Sequence, residues 1–217
     1  MKIAAVLLGI ILAGGAFAQD SRAASFGAQV RFTVEDPQMQ PRAYTLDINE
    51  DGSGTYTATY EAPSIQQVKR TIHIHEPLVA RLFQAARKGH FFASDCADQR
   101  KHIAFTGKKT LTYSGPDGSG SCTFNYSRER DVNQITVALV AVGYTLQVGM
   151  RLRQEHRYDR LSLDGELESL QEAVRDGRAL ETENIAPELE AIADDNAIMD
   201  LARARARSLL QTTVASR

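Results

Sequence analysis

Among the five histidines of this 217-residue chain, His73 and His75 stand closest together. His73-x-His75 falls in an alternating run, so both imidazoles project from one strand face at a spacing that can chelate zinc or copper. Glu76, His90, His102 and His156 are further donors, but nothing in the sequence gathers them. The competing reading is a solvated strand face opposite Ile72 and Ile74. We expect no bound cofactor, and name His73 and His75 as the residues that would hold zinc. A second set of donors, Asp47-x-Asn49-x-Asp51-Gly52, matches the first half of a calcium loop. Its twelfth position, which should supply a bidentate glutamate, is Ala58, and its flanks read as strands where an EF-hand needs helices. The expectation is a polar hairpin and not a calcium site.

No nucleophile motif stands out. The chain has no Gly-x-Ser-x-Gly elbow, no His-Glu-x-x-His, no P-loop and no dinucleotide fingerprint. Ser53, Ser119 and Ser121 sit in or beside glycine turns, where serine is ordinary. No catalytic residue is assigned, and a non-enzymatic protein is expected. The alternative is an exported metal-dependent or hydrolytic enzyme built on the His73/His75 strand face. Cys96 and Cys122 are the two cysteines, spaced far more widely than the pair of a redox motif. A structural disulfide between them is expected, restricting the unfolded chain by roughly 3 to 4 kcal/mol in the entropy account.

The elements that must position these residues change character along the chain. Gln29 to Val34 reads as a first strand. Arg42 to Ile48 and Thr55 to Tyr60 alternate on either side of Asn49-Glu50-Asp51-Gly52-Ser53-Gly54, a hairpin signal. Lys69 to His75 alternates again. Glu76-Pro77 opens a helix carrying Leu78, Val79, Leu82 and Phe83, which Gly89 stops. Phe91 and Phe92 read as core residues. His102 to Thr106, Thr110 to Ser114 and Cys122 to Ser127 are strand candidates, the last two joined by a second Asp-Gly-Ser-Gly turn at 117–120.

Asp131 then offers a cap, with Gln134 as capping-box partner, for a long helix. Val132, Ile135, Leu139, Val142 and Leu146 mark its apolar stripe. A second helix fits Gly165 to Asp176, and a third is expected from Pro187 to about Leu210. Strands first and helices later predict an α+β fold. Residues 19–130 form its strand-rich part, and residues 131–217 a helical region packing on it.

Composition narrows the classes further. Basic residues number 25 and acidic residues 27, with hydrophobic residues at 43%, which excludes disorder and low complexity. A pI near 6.2 gives no basic footprint for nucleic acid. Residues 160–217 carry 7 basic and 12 acidic groups, so a protein partner met through the acidic helical region is the expected contact. Arg203, Arg205 and Arg207 read as a solvated helix end. Lys2, the apolar run from Ile3 to Ala13 and Ala16-Phe17-Ala18 form a signal peptide over residues 1–18. Cleavage after Ala18 would deliver the chain to the periplasm or the exterior. Residues 132–150 lack charge, but their interrupting polar side chains favour a buried helix over a membrane span.

The hairpin Asp51-Gly52-Ser53-Gly54-Thr55-Tyr56, with Leu82-Phe83, Phe91-Phe92 and Tyr113-Ser114-Gly115, resembles uncharacterised domains of secreted and envelope proteins of bacteria. The likeness covers about half the chain and leaves the helical region outside. It implies no activity and no binding residue. The expectation is an exported binding or envelope-interaction protein.

Overall fold

A computed structural model describes residues 27–61, 67–98 and 104–215; the signal peptide at 1–18 and His102 lie outside the described residues. Six strands form one antiparallel sheet: β1 (Gln29–Glu35), β2 (Ala43–Asn49), β3 (Ser53–Thr59), β4 (Gln67–His73), β5 (Lys108–Gly115) and β6 (Gly118–Phe124), in the order β4-β3-β2-β1-β5-β6. The period-two alternation sets its faces. One row across the inner face reads Arg70, Tyr56, Leu46, Phe32, Leu111, Cys122. A neighbouring row on the outer face reads Lys69, Thr57, Thr45, Thr33, Thr110, Thr123. β-branched threonine suits a strand that faces water. No strand covers Ala104–Thr106; the chain enters β5 only after Gly107, whose positive φ of 88° turns it beside Val34.

Two helices cover the inner face. Helix α1 (Glu76–Lys88) buries Leu78, Val79, Leu82, Phe83 and Ala86. Helix α2 (Arg130–Tyr158) has 29 residues, a rod of about 43 Å. Its first half lays Val132, Ile135, Leu139, Val142 and Leu146 on the sheet core. Its second half gives Val148 and Leu152 to a separate core. Gly143 permits the close approach to the sheet, because a Cβ there would lie 2.7 Å from the Tyr44 ring. By length and composition α2 could cross a membrane, yet most of that apolar window is buried inside the protein. Its N-terminus differs from expectation. The helix starts at Arg130 with Glu129 preceding it, no side chain caps it, and Asp131 instead pairs with Lys88 at 3.0 Å.

The second core is helical: Leu163, Leu167 and Leu170 of α3 (Leu163–Arg175), Leu189 and Ile192 of α4 (Ala186–Asp194), and Ala202, Ala206 and Leu209 of α5 (Asp200–Ala215). The single helix expected over 187–210 is thus two. The Asp195 carboxylate accepts the backbone N–H of Ala197 at 2.9 Å, and Asp195 itself is extended. This local aspartate turn competes with the helix and breaks it. The arginines beyond the break also depart from the solvated end expected. Arg205 holds Asp164 at 2.8 Å and Glu168 at 3.0 Å, and Arg207 donates to the Ala193 carbonyl at 2.7 Å. They staple α5 to α3 and α4.

Cys96 and Cys122 form a disulfide, with their Cα atoms 6.0 Å apart, as expected. Next to it His90, Phe91 and Phe92 all have positive φ. This left-handed turn is costly for side-chain-bearing residues and is offset by packing. Phe92 is buried, and Phe91 stacks on Tyr113 with ring centroids 5.0 Å apart.

Candidate functional site

His73 and His75 lie where the two halves of the protein meet. β4 ends at His73, Ile74 is buried in the core, and His75 precedes α1 in extended conformation. The two rings lie 5.9 Å apart, edge to face. The close packing below them requires Gly52, which has φ 82° and whose Cβ would sit 2.4 Å from the Ile74 carbonyl.

What faces these histidines comes from the far end of the chain. His75 Nδ1 lies 2.6 Å from Glu181 Oε2, and Nε2 lies 2.9 Å from Glu183 Oε2. The His75 backbone N–H donates to the same Glu181 oxygen at 3.2 Å. The Asn184 amide pairs with His73 twice, accepting from its N–H and donating to its carbonyl, each at 2.8 Å. Glu181 has left-handed backbone angles, φ 58° and ψ 42°, an arrangement that needs support from its surroundings. A deeper ionic contact reinforces the junction. The buried Glu188 receives Arg70 at 2.7 Å and Arg153 at 2.6 Å.

Chemically, the arrangement acts as a clamp. A neutral imidazole donates one hydrogen bond, so facing two carboxylates favours the imidazolium. The Glu181 hydrogen bond is the largest influence raising the His75 pKa above its ordinary value, with burial opposing it. Both ring nitrogens are engaged, so His75 has no lone pair to offer a metal or a substrate proton while the clamp is closed. Beside it a cleft of about 330 Å³ is lined by Leu78, Arg81, Leu180 and Thr212. Among the described residues no group of three or more His, Cys, Asp or Glu side chains is placed to hold a metal ion.

The calcium-like string is committed to local bonds. Asp47 faces Arg31 at 2.6 Å, Asn49 accepts from Gln29 at 3.0 Å, and Asp51 accepts from the Ser53 N–H at 2.9 Å. Ala58, at the twelfth position, points into the core.

A second feature lies at the other end of the helical half. Tyr158, Leu161, Met199 and Leu201 are 77%, 82%, 50% and 54% exposed. Two contacts place them at one end. His156, in the last turn of α2, bonds Asp195 at 2.9 Å. Arg205 bonds Asp164 at 2.8 Å, and Leu161 and Leu201 each precede that pair by about one turn. Val174 and Thr212 line one cleft at the opposite end, so α3 and α5 run parallel and share their N-terminal end. Sequence reasoning missed this end. The signal was that Leu161 falls outside the Leu163, Leu167, Leu170 stripe, and that Met199 and Leu201 flank a helix break. Glu181, Glu183 and Asn184 carry no local signal at all.

No protein-family model and no curated protein matches the chain.

Proposed function

We propose that the chain is an exported, non-enzymatic binding protein that meets a protein partner through the distal end of its helical half. The observation that carries this reading is the group of four large apolar side chains exposed at that end. Large apolar side chains gathered at one surface mark interaction sites, whereas scattered ones need no explanation. The contact thus falls in the helical region, but its driving groups are apolar. Many of the acids there are committed within the protein, as Glu166 to Arg151, Glu188 to Arg70 and Asp164 to Arg205. Export is supported by the leader-like residues 1–18 and accords with the disulfide, which persists in an oxidising compartment.

The test is native electrophoresis of the exported fraction carrying Leu161→Asp or Leu201→Asp. Both positions are exposed, so the fold should persist by circular dichroism. The wild-type chain is expected to migrate in a species larger than the monomer and the variants as monomer. A wild-type chain that already migrates as monomer contradicts the reading.

A further inference from the structure

Lys109 stands where the strand alternation predicts an apolar residue. It lies in an inner-face row that reads Ala58, Tyr44, Val34, Lys109, Phe124, and it is 7% exposed. A buried ammonium is costly unless its charge and its N–H donors are met. No ion pair meets it among the described residues, but four uncharged oxygens do. They are the Thr106 carbonyl at 2.7 Å, the Thr106 hydroxyl at 3.0 Å, and the Gly107 and Asn125 carbonyls at 3.1 Å each. The Thr106 hydroxyl donates its proton to the Asn125 side chain at 3.1 Å, so it turns a lone pair to Lys109. The same side-chain amide holds the turn from outside, accepting the Thr106 N–H and donating to the Ala104 carbonyl, each at 2.8 Å. Burial pulls the Lys109 pKa below its ordinary value, and the Asp36 carboxylate opposes this.

Three carbonyl dipoles and a hydroxyl lone pair aimed at one point repel one another unless a cation stands there. Neutral carbonyl oxygens are also what replace the hydration shell of potassium in a channel filter. Separations of 2.7 to 3.1 Å exceed the about 2.3–2.6 Å that calcium takes, and calcium favours carboxylates. We infer that the Thr106–Gly107 turn and the Asn125 carbonyl form a site for a monovalent cation of ammonium or potassium size, which the chain fills with Lys109 Nζ. Tethering gives this ion an effective concentration that free ions do not reach, so the turn stays built whatever salts surround the chain. The turn in its place holds Gly107 at φ 88° beside Val34 and leads the chain into β5. When Lys109 is shortened, the vacated site takes a free ion of the same class.

The test compares Lys109→Ala, which opens the site, with Lys109→Met, which keeps the stem and loses the charge. Thermal unfolding is followed in equal concentrations of ammonium, potassium and tetramethylammonium chloride. In tetramethylammonium both variants should melt about 5 °C or more below the wild-type chain, because the converging carbonyls lose their partner. Ammonium and potassium should return about half or more of that loss to Lys109→Ala, and give no such gain to Lys109→Met or the wild-type chain. A Lys109→Met chain as stable as the wild type overturns the inference. So does a Lys109→Ala chain that behaves alike in all three salts, whether folded or not. A second measurement needs no variant. In the nuclear magnetic resonance spectrum of the wild-type chain at neutral pH, the Lys109 ammonium should give a slowly exchanging signal with contacts to Thr106, while solvated lysines exchange too fast to be seen. Absence of that signal also overturns the inference.

Discussion

The Nδ1 of His75 lies 2.6 Å from the Glu181 carboxylate, across 106 residues of chain. With Glu183 on the other ring nitrogen, this contact ties the start of α1 to the segment that leads into α4. It makes His75 part of a structural joint. The joint holds the helical half against the sheet and so sets where the distal end points.

The clamp should make stability depend on pH. The folded His75 pKa lies above the unfolded value near 6.5, chiefly through the Glu181 hydrogen bond. Stability from it is therefore fully present below pH about 6.5 and is lost as pH rises through the folded pKa. Thermal unfolding of the wild-type chain and of His75→Gln at pH 6 and at pH 9 should show this, the wild-type advantage at low pH shrinking at high pH. Equal differences at both pH values would contradict the clamp.

Glu188 should matter more than either arginine it binds. Glu188→Gln leaves the largely buried Arg70 without a counter-charge, a loss of about 3 kcal/mol in urea unfolding. Arg153 is 58% exposed, so Arg153→Gln should cost under about 1 kcal/mol. Comparable losses for the two variants would show that Arg70 is solvated.

Removing the disulfide should act mainly through the unfolded chain. The double variant Cys96→Ala, Cys122→Ala should unfold at lower urea, by roughly 3 to 4 kcal/mol, while keeping its far-ultraviolet spectrum. A change below about 1 kcal/mol would place the stabilisation elsewhere.

Much of the strand half was legible because its signals are local. Alternation around Phe32, Leu46, Tyr56 and Leu111 assigned four strands and their faces. The stripe from Val132 to Leu146 assigned the first half of α2, and all five of its residues are buried. The α4–α5 break was legible only in part, since Asp194-Asp195-Asn196 is a turn signal set inside a helical pattern that outweighed it. The joint was not legible. Pairing His75 with Glu181 depends on how two cores dock, and no spacing in the sequence reports that. His73 and His75 were singled out as candidate ligands from their spacing, but that spacing could not report that the His75 imidazole is met by acids from the far end of the chain. The distal apolar end was missed for a related reason. Nothing local marks Tyr158 and Leu161 as exposed; that depends on the helices around them packing without them.

The most direct test of where this protein makes contact is photo-cross-linking in cells that export it. A photoreactive residue would replace Leu161 in one variant and the exposed His73 in another. The account expects a discrete covalent protein adduct from position 161 and none from position 73. An adduct formed at position 73 and absent at 161 would move the functional surface back to the histidine face and contradict the account.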